Sequence, residues 1–76
     1  MAVRSDIMWY VYICDKGRLL YTGITTDVFR RMRQHGASLL HSERFQDKRA
    51  AARREREIKG WRREKKLALI KNAAVG

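Results

Sequence analysis

Met8-Trp9-Tyr10-Val11-Tyr12-Ile13-Cys14 is the stretch whose reading decides the fold of this chain. It is dense in aromatic and β-branched side chains, and Arg18 to Ile24 repeats that character after Asp15-Lys16-Gly17, whose residues suit a turn. The two segments predict a β-hairpin. Alternation puts Met8, Tyr10, Tyr12 and Cys14 on one face of the first strand and Trp9, Val11 and Ile13 on the other, so both faces need cover. Downstream, Thr25, Thr26 and Asp27 offer N-cap oxygens to a helix through Val28, Phe29, Met32 and His35, which Gly36 stops. Leu39 to Phe45 reads as a third strand. Asp47 can cap a second helix from Lys48 to Lys59, Gly60 breaks it, and Arg62 to Lys71 forms a third with Leu67 and Ile70 as its buried stripe. The expected order is ββαβαα.

The composition narrows the class. Eighteen Lys and Arg stand against eight Asp and Glu in 76 residues, a net charge of +10, with no proline and a single cysteine. One domain over residues 1–76 is expected, with a small core, since a chain of this size buries only ~60% of the surface it exposes when unfolded. Cys14 with His35 and His41 cannot build a disulfide framework or a closed zinc site, which points to a reducing compartment. The longest apolar run, Ile7 to Cys14, is eight residues, whereas a membrane span needs ~20. Nothing at the start reads as a signal peptide, so a soluble, cytoplasmic protein with no membrane partner is expected. The 45% hydrophobic content is too high for a disordered basic tail. Charge is uneven: residues 1–47 hold seven basic and five acidic side chains, and residues 48–76 hold eleven and three. A basic face of this strength favours a polyanion, nucleic acid first.

Several polar residues are not explained by core packing. Arg31 lies three residues after Val28 and four before His35, so both project beside the apolar stripe of the first helix. The pair reads either as a phosphate site, a planar guanidinium next to an imidazole, or as an exposed arginine and a histidine meeting the helix dipole. Glu55 falls on the face that Ala51, Ile58 and Trp61 define on the second helix. It is either half of an ion pair, with Lys59 or an arginine, or a ligand for Mg²⁺, which one or two carboxylates with water and substrate phosphate suffice to hold. Three tyrosines, Tyr10, Tyr12 and Tyr21, crowd the hairpin. Gly23 inside a strand weakens the ladder unless backbone or ligand must come close.

Together these residues resemble the GIY-YIG nuclease superfamily, in particular its small stand-alone bacterial branch. The match runs through Trp9-Tyr10-Val11-Tyr12-Ile13, Leu20-Tyr21-Thr22-Gly23-Ile24-Thr25-Thr26-Asp27, Arg30-Arg31-Met32-Arg33-Gln34-His35 and Ala52-Arg53-Arg54-Glu55, then Ile58-Lys59 and Lys65-Lys66-Leu67-Ala68-Leu69-Ile70. The resemblance implies an α+β fold, a three-stranded antiparallel sheet flanked by helices, and endonuclease cleavage of DNA phosphodiesters with Mg²⁺ or Mn²⁺. By position Tyr12 and Tyr21 look like the two motif tyrosines, Arg31 the phosphate-contacting arginine, His35 a histidine of this branch and Glu55 the metal ligand. Which tyrosine acts on water stays open. Gly23, Arg30, Arg53, Arg54, Lys59, Arg62 and Arg63 are the expected nucleic-acid contacts. Tyr10 stands where the first motif usually has glycine, and only Gly36, Ala37 and Ser38 connect His35 to the third strand. That short connection leaves a strand edge open, an expected surface for a homodimer. The alternatives are a non-catalytic nucleic-acid-binding module of the same fold and an assembly role with an acidic partner.

Overall fold

The computed structural model describes residues 7–75. Its elements follow the expected order: β1 (Trp9–Lys16), β2 (Leu19–Thr25), α1 (Val28–His35), β3 (Ser38–Phe45), α2 (Lys48–Lys59) and α3 (Arg63–Val75). The three strands form one antiparallel sheet in the order β2-β1-β3. The hairpin partner β2 and the returning strand β3 therefore flank β1, and among the described residues each leaves one edge unpaired. Among the described residues no helix is long and apolar enough to cross a membrane.

Burial follows from the central place of β1. Val11, Tyr12, Ile13 and Cys14 are all fully buried, which requires cover on both faces of the sheet. Val11 and Ile13 pack with Ala51 and Ile58 of α2, joined by Trp9, Leu20, Ile24, Phe45 and Trp61. On the opposite face Tyr12 and Cys14 pack with Val28 and Met32 of α1, joined by Tyr10 and Ala37. The alternation in β1 is thus divided between two small cores, each side chain contributing roughly 1.5–3 kcal/mol of apolar burial. Burial also pushes the Cys14 thiol pKa up, against the pull of Lys16.

Helix ends obey the local signals. Asp27 caps α1, its Oδ1 accepting the Arg30 N–H at 3.1 Å, and Gly36 ends the helix in the left-handed conformation at φ 60°. Asp47 caps α2 by accepting the Arg49 N–H at 3.3 Å. The stripe expected on α3 is corrected. Leu67 is 42% exposed, and Leu69 joins Ile70 against the core. Leu67-Ala68-Leu69-Ile70 is apolar all round the turn, so periodicity could not choose its inner side and packing did.

Two features position the rest of the molecule. Ile13 pairs with His41 but Cys14 pairs with Leu39, so Leu40 is the extra residue of a β-bulge. The bulge sets Leu39 opposite Cys14, on the α1 face. The second feature is an ion-pair clamp. Arg54 of α2 donates from Nε to Glu43 Oε1 at 2.8 Å and from Nη2 to Glu43 Oε2 at 3.1 Å, while His41 Nε2 lies 2.9 Å from Glu43 Oε2. Glu57 accepts the Arg54 Nη1–H at 2.9 Å, and the guanidinium lies over the Trp61 ring at 5.1 Å. Such bidentate, charge-assisted pairing fixes both position and orientation. It locks α2 to β3.

The clamp has a pH signature. Burial works to raise the Glu43 pKa, but the bonds from Arg54 and His41 outweigh it and hold the carboxylate below its ordinary 4.5. A depressed carboxylate stabilises the fold above its unfolded pKa and loses that contribution as pH falls through the folded value. Glu43→Gln is expected to lower unfolding free energy by about 1–3 kcal/mol at pH 7, the gap to the native chain closing below pH 4.5 in denaturant titrations. A gap constant with pH would contradict the clamp.

Candidate active site

The site begins with Tyr12, the one side chain in the buried Val11–Cys14 run that carries an oxygen. It pairs across the hairpin with Gly23. A Cβ on Gly23 would lie 2.5 Å from the Tyr12 hydroxyl oxygen and 2.7 Å from Cζ, so the Tyr12 ring lies across the backbone of β2. The close approach expected at this glycine is made by Tyr12 itself, an aromatic ring covering a strand glycine.

Tyr21 lies beside it on β2, the two ring centroids 6.1 Å apart at 41°. Unlike Tyr12, Tyr21 is 40% exposed. The His35 ring, at the end of α1, is 5.6 Å from Tyr21. Lys16 Nζ reaches His35 Nδ1 at 3.4 Å and lies 5.9 Å above the Tyr21 ring. An ammonium can only donate, so Nδ1 accepts and the ring proton is assigned to Nε2. Nε2 is buried without a partner among the described residues. An orphaned N–H of this kind is costly unless an acceptor arrives.

Arg31 and Glu55 reach this centre from two different helices. Burial raises the Tyr12 pKa most, Tyr21 raises it further, Arg31 lowers it, and Cys14 and Glu55 add smaller upward pushes. Charges from β2, α1 and α2 are thus within electrostatic range of one hydroxyl. Glu55 is half-buried, its side chain 19% exposed, and Lys59 pairs with its Oε2 at 3.3 Å. Beside Arg31, a polar cavity of about 240 Å³ is lined by Thr25, Thr26, Asp27, Arg30 and Gln34.

The structure thus groups Tyr12, Tyr21 and His35 in one aromatic row, with Arg31 and Glu55 within electrostatic range of Tyr12. The wider set divides. Arg30 lines the polar cavity, Lys59 sits on Glu55, and Arg53 and Arg62 are exposed. Arg63 spends one N–H on the Arg18 carbonyl at 3.2 Å. Arg54 has a scaffold role, since Nε, Nη1 and Nη2 each donate to Glu43 or Glu57. Lys16 is the residue the sequence did not reveal, because at a hairpin end a lysine is ordinary turn chemistry.

Comparison with known proteins agrees with this fold. Residues 8–42 match the GIY-YIG catalytic domain. A UPF0213 protein of Haloquadratum walsbyi is 45% identical over a 74-residue alignment covering 79% of this chain and 83% of that protein. One from Staphylococcus haemolyticus is 40% identical, covering 80% and 92%. The solution NMR structure of a UPF0213 protein from Bacillus halodurans superposes with a TM-score of 0.60 at 33% identity, over 84% of this chain and 83% of that one.

Because the Tyr12 ring fills the space a Cβ would need, Gly23→Ala must push the ring out of the sheet. Overpacking of this kind costs about 1–3 kcal/mol. The expected result is a lower midpoint in thermal unfolding and changed near-ultraviolet tyrosine dichroism; an unmoved midpoint with native dichroism would contradict the close approach.

Proposed function

The chain belongs to the UPF0213 family of small stand-alone GIY-YIG proteins, and from that premise we propose that it hydrolyses phosphodiester bonds in nucleic acid, DNA first, with the help of a divalent cation. The supporting observation is the convergence on Tyr12. Tyr21 and then His35 stand in a row beside it, and Arg31 and Glu55, from α1 and α2, lie within electrostatic range of it, an arrangement that core packing does not require.

Each side chain then has a role its surroundings suit. Arg31 holds the non-bridging phosphate oxygens in its planar fork and offsets the charge that grows there. Tyr12, kept protonated by burial, orients groups as a hydrogen-bond donor and does not serve as a resting base. Tyr21, open to solvent, faces the attacking water. His35 backs Tyr21, its Nδ1 accepting from Lys16 so that the ring proton stays on Nε2. The scissile phosphate enters beside the polar cavity at Arg30, Arg31 and Gln34.

The donor set fits a shared cation. Among the described residues no group of three or more His, Cys, Asp or Glu side chains could hold a metal, while Glu55 is a single half-buried carboxylate whose partner, the exposed Lys59, can swing aside. Mg²⁺ or Mn²⁺ suits one carboxylate because the remaining positions go to water and phosphate. Glu55 would hold such a cation, which would supply Lewis acidity toward the phosphate. The Glu55–Lys59 pair also favours a second reading, a nucleic-acid-binding module of the same fold without catalysis.

Cleavage of DNA with Mg²⁺ or with EDTA separates the two. Nicking that requires the cation is expected, falling about 100-fold or more in Glu55→Gln and in Arg31→Ala, while Glu55→Gln keeps its affinity for DNA in EDTA. Equal residual cutting by native and variant proteins would assign the activity elsewhere and leave the binding module.

A further inference from the structure

Among the described residues Phe29 is the most exposed large hydrophobic side chain, at 80%, and packing gives it no partner in either core cluster. A lone exposed phenylalanine needs no explanation. This one forms a wall of an apolar cavity of about 220 Å³, together with Tyr10 of β1, Val28 of α1 and Leu39 of β3. Leu39 is there because the bulge at Leu40 sets it on the α1 face. The cavity shares Thr26 and Asp27 with the polar cavity of Arg30, Arg31 and Gln34. An aromatic-walled slot and an arginine-lined hollow thus stand side by side on α1. Arg33, one helical turn after Phe29 on the same side, is also exposed and adds a further cation.

We propose that the Tyr10–Phe29–Leu39 cavity receives one unstacked nucleobase while the neighbouring Arg30–Gln34 cavity holds the adjacent phosphate. Single-stranded nucleic acid is bound by this combination, aromatic faces for the bases and a basic track for the backbone, and stacking needs no particular base because each has a π-face. Charge selects this occupant over a second copy of the chain. Each copy carries +10, so two copies repel, whereas a polyanion is drawn to the arginines beside the slot. The inference deepens the phosphodiesterase reading and rests on it for the role of Arg31. It narrows the substrate to strands with an unpaired nucleotide next to the scissile phosphate, because a base held in a duplex cannot enter the slot.

The test is binding in EDTA, which reads the base site whether or not the protein cuts. Fluorescence anisotropy of a labelled 20-nucleotide single strand and of its blunt duplex is measured with native protein, Phe29→Ala and Phe29→Trp. Native protein is expected to prefer the single strand. Phe29→Ala loses at least about fivefold in single-strand affinity, Phe29→Trp retains it, and duplex affinity and thermal midpoint stay unmoved in both. No loss in Phe29→Ala, or an equal loss on both DNAs, overturns the base site. So does a native dimer in sedimentation equilibrium that Phe29→Ala dissociates, which assigns the slot to a second copy. Cation-dependent cutting that ignores Phe29 would sink this inference alone, whereas absent cutting with the expected binding pattern would sink the hydrolase reading alone.

Discussion

Everything in this structure depends on the burial of one strand on both faces. Four consecutive residues of β1, Val11 to Cys14, have almost no contact with solvent, and successive side chains in a strand point in opposite directions. The chain must therefore supply a layer on each side of the sheet. It does so with α1 on the Tyr12 and Cys14 face and α2 on the Val11 and Ile13 face, α3 adding Leu69 and Ile70 to the latter. With so few residues, neither layer can be thick, and each core closes around only four fully or nearly buried side chains. Polar groups on the two helices consequently end close to the sheet, where their charges act on Tyr12.

That thinness is what makes a site. Glu55 lies on the helix of one face and Arg31 on the helix of the other, yet Tyr12 is within electrostatic range of both. Gly23 lets the Tyr12 ring lie across the outer strand, and the Glu43–Arg54 clamp holds α2 against β3 so that Glu55 is presented from a fixed helix. The clamp and the site sit on the same twelve-residue helix, one residue apart in sequence, and they divide its charges between scaffold and chemistry. Arg54 is surrounded by carboxylates and belongs to the first; Glu55, with only an exposed lysine beside it, is available to the second.

The positive charge is distributed to match. Most of the excess lies after residue 47, on α2 and α3, while the arginines of α1 flank the polar cavity. A binder that worked by charge alone would need none of the hairpin tyrosines, and a nuclease with only those tyrosines would have no grip on phosphate.

The amino-acid sequence by itself determined the hairpin, the helix starts at Asp27 and Asp47, and the stops at Gly36 and Gly60. These follow from short-range chemistry: alternation in β1, side-chain oxygens that cap free N–H groups, and a left-handed residue that only glycine adopts easily at Gly36. Tyr12, Tyr21, Arg31, His35 and Glu55 were marked as candidates by their resemblance to a family pattern, which residue type and order in the chain suffice to show. Tertiary structure decided what depends on contacts between distant segments. The inner side of α3 was set by packing because its apolar run has no single stripe, and Arg54 was drawn into the scaffold by Glu43, eleven residues away on another element. Lys16 gained a role only when the fold brought His35 to it, nineteen positions on. Leu39 reached the Phe29 cavity through a one-residue bulge, which shifts register without leaving a mark in the pattern of residues.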